Sequence, residues 1–538
     1  MSSLLRALVT LAAAALVAAP SLRAQRCDSL VTRTAPDALS GRRIDSVRVV
    51  TLSPDPLPGP AAFIDGLHVR TQEGTIRRQL LFAPGDTIDT LRVAETMRRL
   101  RGHRYLVDAW LAARACEGRG VTLTVTTRDA WSTRPEVKLG ASGNATVGVE
   151  ERNLLGTGRA ASLYLRSSRG SRLGVGAMLS DPWVPYAPLT ATLSTNSYRD
   201  GADWLAMMTS RNLTIFDPWR VELALGGNTY HPTNDSSGTF GRTWGSLLVS
   251  RVVSASPRGV TSLLGGVEGE RGRLIAGPAD ALIGPSTVFR RFAGVDVGMR
   301  RETARYDTLT WILPGGGLAD LPLGFEWEGV AGMGKDFATG APTVHLDAWG
   351  GRAWIPRRGQ VMVADVWSSG YIGHGTWRGG TVRGLLSYFA AAPHGTWQAH
   401  LAGEHLFEPD PDVRALAMLD PTLPLFPRDS SLAETAVSAS VERDVDLRKL
   451  SRSWTLDGAL FGAYTVRHDP VAPNPEQLQA AVIGVGLRLA PRRAGRATFR
   501  IDVGYPVAHS PQLRGKPYIG ILIMPWLGAD RERDGRRR

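Results

Sequence analysis

Gly329-Val330-Ala331-Gly332-Met333-Gly334-Lys335 has the spacing of a phosphate-binding loop, where backbone N–H groups cradle phosphates and the lysine reaches them. The next residue is Asp336, where Ser or Thr should hold magnesium, and the segment alternates like a strand, so it reads as sheet and not as a nucleotide site. The ten His form no H-E-x-x-H, and His400 and His405 stand at the wrong interval for neighbouring ligands on one helix. Glu408-Pro409-Asp410-Pro411-Asp412 could hold calcium, though its two prolines make a rigid acidic loop the simpler reading. No G-x-S-x-G singles out a serine. The residues therefore nominate no catalytic group, metal ligand or cofactor, and the chain reads as a non-enzyme. The remaining reactive groups are Cys27 and Cys116, the only two cysteines.

The compartment decides what those thiols do. Met1–Ala24 carries Arg6, an apolar run from Leu8 to Ala19, then Pro20 and Leu22-Arg23-Ala24, which is the plan of a secretory signal cleaved after Ala24. Cys27 follows Gln25-Arg26, not the small residues of a lipoprotein signal. In an exported, oxidising setting, Cys27 and Cys116 are a disulfide candidate. No apolar run of 18 or more residues follows the signal, so a membrane role requires strands. The formal net charge of +13 comes from 59 Arg and 4 Lys scattered among the acids, with no basic stripe interleaved with aromatics, which excludes a nucleic-acid partner.

At 538 residues the chain needs at least two units. After a polar lead-in over 25–43, Ile44, Val47 and Val49-Val50 mark a strand. Ile76, Leu80 and Leu81 share a helical face that Pro84-Gly85-Asp86 ends. Val93, Met97 and Leu100 give a second helix begun near Asp89 or Thr90. Tyr105–Ala115 and Gly120–Thr127 supply two more strands, the second alternating Val121, Leu123, Val125 with Thr122, Thr124, Thr126. Strand, helix, helix, strand, strand thus occupy 44–134.

From 135 the rules change. Ala161, Leu163, Leu165 alternate with Ser162, Tyr164, Arg166, and between 16 and 19 segments of this kind run on to Trp526. One apolar residue in two, over strands of about 9–11 residues, is the pattern of a closed sheet with lipid outside and water inside. The expected class is an all-β transmembrane antiparallel barrel of about 16 strands over 135–529, preceded by a small α+β domain, with a charged tail over 530–538.

Three stretches resemble the bacterial surface-antigen family of outer-membrane assembly and translocation proteins, the BamA/TamA-like group. Asn153-Leu154-Leu155-Gly156-Thr157-Gly158 resembles the turn that opens that family's barrel, with Asn153, Leu154, Leu155, Gly156 and Gly158 as its motif. The order over 44–134, with Leu80-Leu81-Phe82, Gly85-Asp86 and Leu100-Arg101 through Tyr105-Leu106, resembles a POTRA domain, whose sheet edge takes a strand from clients or partners. Gly484–Leu489, Phe499–Pro506 and Lys516–Trp526 look like the last three barrel strands, with Tyr518, Gly520 and Trp526 in the insertion signal.

The family's Arg-Gly-aromatic loop motif should fall in Phe407–Ser431, one strand before Glu442-Arg443. Leu423-Pro424-Leu425-Phe426-Pro427 stands there, with the aromatic but without the Arg and Gly, while Val382-Arg383-Gly384-Leu385 has both but comes too early. The resemblance implies a barrel in a Gram-negative outer membrane, surrounded by its lipids, with the POTRA domain in the periplasm meeting unfolded outer-membrane clients or periplasmic partners. It further implies assembly, insertion or translocation through a seam between Val137–Glu150 and Lys516–Trp526. A passive pore or structural barrel is the alternative that the missing loop arginine leaves open.

Overall fold

A computed structural model describes residues 27–32, 39–56, 68–116, 120–139, 145–167, 173–184, 187–198, 201–211, 214–230, 239–276, 288–312, 319–373, 375–408, 434–450, 454–468, 477–491, 498–508 and 518–524. They fall into two compact units. One is drawn from the chain up to Val50 with Leu80–Met97 and Trp110–Thr126, and the other from Thr51–Gln79, Arg98–Ala109 and everything from Thr127.

The first part of the chain forms β1 (Cys27–Thr32), β2 (Ile44–Leu52), helix α1 (Glu73–Arg77), helix α2 (Thr90–Gly102), β3 (Leu106–Cys116) and β4 (Val121–Asp129). The four strands make one sheet in the order β1-β3-β4-β2. Alternation drives it: Val121, Leu123 and Val125 are fully buried, as are Val93, Met97 and Leu100 on α2. Asp89 starts that helix as expected, its Oδ1 accepting the Leu91 and Arg92 N–H groups at 2.9 and 3.3 Å.

Two expectations change here. Helix α1 stops at Arg77 instead of running to Leu81, because the Leu81 N–H is taken by the Thr96 hydroxyl, 3.2 Å away. The lead-in contains a strand, β1, paired antiparallel to β3 from Cys27↔Cys116 to Thr32↔Leu111. Its Leu30 and Val31 are both exposed, so the ladder holds it without the one-sided burial that alternation reports.

The rest of the chain is antiparallel sheet. The ascending half runs through β5 (Thr133–Leu139), β6 (Ala145–Leu154), β7 (Arg159–Ser167), β8 (Gly174–Asp181), β9 (Leu189–Tyr198), β10 (Gly201–Ser210), β11 (Trp219–Tyr230), β12 (Thr239–Ser256), β13 (Gly259–Ala276) and β14 (Val288–Thr303). A small hairpin follows, β15 (Tyr306–Leu309) and β16 (Ala319–Pro322), paired only with itself. Then come β17 (Gly324–Asp336), β18 (Ala341–Trp354), β19 (Gln360–Gly373), β20 (Thr376–Ala392), β21 (Gly395–Phe407), β22 (Thr435–Lys449), β23 (Trp454–His468), β24 (Gln477–Pro491), β25 (Thr498–Ala508) and β26 (Tyr518–Met524).

Apart from β15 and β16, these strands close into one barrel in which each pairs with its sequence neighbour and β26 returns to β5. Twenty described strands form it, against about sixteen expected. Very short connections hide the boundaries: β12 and β13, 18 residues each, are separated by Pro257-Arg258 alone. In the other direction, Val137–Glu150 is not one strand but parts of β5 and β6. Residues 140–144, between the two strands, lie outside the described residues.

The two faces of the wall differ sharply. Leu163, Val221, Val295, Leu401, Val441 and Ile501 stand exposed at alternate positions, forming the apolar outer band that a bilayer requires, while their neighbours turn inward. Among the described residues no helix is long and apolar enough to cross a membrane.

Hairpin β15–β16 is the exception to a polar interior. Ile312, Ala319 and Leu321 are buried against Ala353, Val361, Val363 and Phe389 of the wall, with Leu309, Trp311 and Leu323 packed alongside. Burying each of the larger side chains stabilises by about 1.5–3 kcal/mol.

Candidate functional site

The opening turn is built to dock. Leu155, Gly156 and Gly158 adopt φ values of 55°, 73° and 76°, the left-handed region where glycine is at ease. Asn153, almost fully buried, ties the turn: its Oδ1 accepts the Gly158 N–H at 2.8 Å and its Nδ2 donates to Thr71 Oγ1 at 2.8 Å. The Gly156 carbonyl accepts from the Gln72 N–H at 2.9 Å and from Thr75 Oγ1 at 3.1 Å, at the start of α1. A Cβ on Gly156 would lie 2.4 Å from the Arg70 carbonyl oxygen, so only glycine permits this approach. Behind the turn, Gln79 Nε2 donates to Tyr105 OH at 2.9 Å. Burial of Tyr105 raises its phenol well above the ordinary range, against the opposing pull of that hydrogen bond.

Inside the barrel the polar residues form paired networks. Near the closing strands, Arg488 reaches Glu442 at 3.1 Å and Asp502 at 2.5 Å, and Arg500 reaches the same two acids at 2.7 and 2.9 Å. Gln398 Nε2 donates to Asp444 Oδ2 at 2.6 Å beside them. A second network joins Arg300 to Glu222 at 3.0 Å and to Glu328, and Arg220 to Glu302 at 3.2 Å.

A third network places Glu268, His345 and Ser369 in line. His345 Nδ1 lies 2.8 Å from Glu268 Oε1, Nε2 lies 3.3 Å from Ser369 Oγ, and the imidazole stacks on Tyr371 at 4.5 Å. The order is that of a carboxylate, base and nucleophile. The three side chains come from β13, β18 and β19 of the wall.

Among the described residues, the seam is the least paired line in the sheet. Between β26 and β5 the register holds one described pair, Ile521↔Leu139. Every other neighbouring pair in the barrel is longer, from Gly176↔Asn196 through Asp181↔Ala191 in β8–β9, the shortest, up to the full length of β12–β13.

Gly329–Lys335 lies inside β17, in the wall, and forms no phosphate loop. His400 bonds Ser387 at 2.9 Å and His405 bonds Thr435 at 2.7 Å. Arg383 lies in β20, its guanidinium 6.0 Å from the Trp367 ring centroid. Tyr518 and Gly520 sit in β26, with Gly520 opposite Asp502, and Cys27 is the register partner of Cys116. Leu423-Pro424-Leu425-Phe426-Pro427, Trp526, the signal segment and the charged tail lie outside the described residues.

Sequence reasoning missed the groups that receive the turn, Thr71, Gln72 and Thr75, and the ion pair of Arg101 with Asp320 in β16. Only a long-range pairing signal could have joined positions so far apart. Arg488 was within reach, since it shares the alternation of Arg500 and Asp502.

No family model matches the sequence, and no curated protein matches it. Among solved structures the chain is similar to CdiB from Escherichia coli, at 12% identity and a TM-score of 0.40, over 93% of this chain and 80% of that one. It is similar to CdiB from Acinetobacter baumannii at 9% identity and a TM-score of 0.39, over 93% and 78%. It is also similar to BamA from Haemophilus ducreyi lacking POTRA domains 1–3, at 13% identity and a TM-score of 0.33, over 93% and 88%.

Proposed function

We propose that the chain is an outer-membrane barrel that assembles, inserts or translocates other proteins by opening its wall between β26 and β5. Its small α+β domain lies in the periplasm as the place where unfolded clients or partners first bind. The seam supports this reading. Among the described residues this edge is held by the single pair Ile521↔Leu139, fewer than any other line in the barrel, and the freed edges would offer unpaired N–H and C=O groups to a client strand. The apolar packing of hairpin β15–β16 against Val361, Val363 and Phe389 also favours traffic through the wall over traffic down the lumen.

One observation favours the passive or structural reading. Glu442 and Asp502, inner-wall acids of the kind a loop arginine would meet, are already paired with Arg488 and Arg500 from the wall itself. The barrel needs no arginine from Phe407–Ser431 to neutralise them.

Locking the seam separates the two. Leu139→Cys with Ile521→Cys joins β5 to β26 at their register pair. In vesicles holding the purified full chain, the oxidised variant should lose its acceleration of outer-membrane precursor folding and regain it on reduction, with each single-cysteine variant unaffected. Undiminished acceleration by the locked barrel would defeat the assembly reading.

A further inference from the structure

We infer that hairpin β15–β16 is a gate that closes the lumen from within, latched by two arginines of helix α2. The side of the wall it occupies is fixed by register. Val361 is paired with Phe389, Phe389 with Gln398 and Gln398 with Glu442, so all four side chains lie on one face, and Glu442 belongs to the inner network. Val366, on the opposite face of β19, is 54% exposed on the outer band. The apolar cluster of Ile312, Leu321, Val361, Val363 and Phe389 therefore fills space inside the barrel, on the face that also carries the Glu442 network.

An apolar plug in a polar lumen is stable only while it stays desolvated, and its anchor is electrostatic. Asp320 of β16 receives both Nε and Nη2 of Arg101, at 2.9 and 3.1 Å, and the Thr308 hydroxyl at 2.6 Å. Both partners of this pair are nearly buried, which makes it the two-pronged, water-excluded kind that holds geometry best. One helical turn earlier, the Arg98 guanidinium lies 4.4 Å from the ring centroid of Tyr306 in β15. The base of the hairpin is separately fixed to the wall through Thr303, whose Oγ1 donates to the Leu323 carbonyl at 2.9 Å and accepts the Arg305 N–H at 3.2 Å. The hairpin is thus hinged at Thr303 and latched at Asp320, and losing the latch frees it to leave the lumen.

Val363, only 6% exposed beneath the hairpin, reports the state of the gate. In the full chain with Cys27 and Cys116 replaced by serine, Val363→Cys should react slowly with a water-soluble maleimide. Adding Arg101→Ala or Asp320→Asn should speed labelling about tenfold, and Ile312→Asp with Leu321→Asp should expose the thiol fully and raise single-channel conductance in planar bilayers. The exchanged pair Arg101→Asp with Asp320→Arg should restore slow labelling. Fast labelling without any latch variant, or latch variants no faster than the parent, would overturn the gate.

The inference rests on the membrane-barrel reading but not on the seam. Variants that run as heat-shifted bands yet show unchanged labelling count against the gate, whereas absence of any heat-shifted band counts against the barrel.

Discussion

The wall from β22 to β25 and the seam from β26 to β5 belong to one closed sheet but are held by different means. In the wall, ladders run unbroken from Trp454↔Pro491 to His468↔Gln477, and Arg488 and Arg500 stitch across strands to Glu442 and Asp502. At the seam a single described pair does the closing. Closed barrels avoid edges because an unpaired backbone group in lipid costs several kcal/mol. Among the described residues, a densely paired stretch of wall thus lies next to the least paired ladder.

The strongest way to break the contrast is to weaken the stitched side. Glu442→Ala strips Arg488 and Arg500 of a shared acid and should destabilise the barrel by about 3–5 kcal/mol, read as a lower midpoint of heat-shifted migration. A change under 1 kcal/mol, roughly the worth of a surface pair, would mean the network does not hold the wall.

Next in size is the small domain, which should leave the contrast untouched. Bridging Cys27 to Cys116 would stabilise that domain by about 2–4 kcal/mol, and reduction should lower its urea midpoint while the barrel's stays fixed. Alkylation of two thiols in the unreduced native protein would show that the bridge does not form.

The smallest expected effect sharpens the contrast from the other flank, where the β6–β7 turn docks on α1. Gly156→Ala places a side chain at φ 73° facing the Arg70 carbonyl and should cost about 1–3 kcal/mol. If the dock steadies the strands beside the seam, this variant should also speed amide exchange in β5. Wild-type stability and exchange in the variant would show that the turn bears no load.

What the sequence made legible follows from period and from backbone chemistry. Arg500 and Asp502 could be placed opposite Phe499 and Ile501 because a two-residue period survives any error in strand count. Asn153–Gly158 could be singled out only by its resemblance to a family's opening turn; the positive φ values at 156 and 158 are the physical reason that turn carries glycine. The count itself was not legible, since joints as short as Pro257-Arg258 leave two 18-residue strands with no loop of their own between them.

Strand β1 escaped because pairing through the backbone leaves no apolar rhythm in Leu30 and Val31. The Arg101–Asp320 latch escaped because 219 residues separate its partners. Local patterns report how a residue is buried, not which distant residue it meets.

If β26 and β5 meet along the barrel's weakest line, amide hydrogen exchange in the membrane-embedded protein shows it directly. Amides of Tyr518–Met524 and Thr133–Leu139 should exchange at least about tenfold faster than those of Trp454–His468 and Gln477–Pro491, through local opening of the seam. Equal protection across all four strands would contradict it.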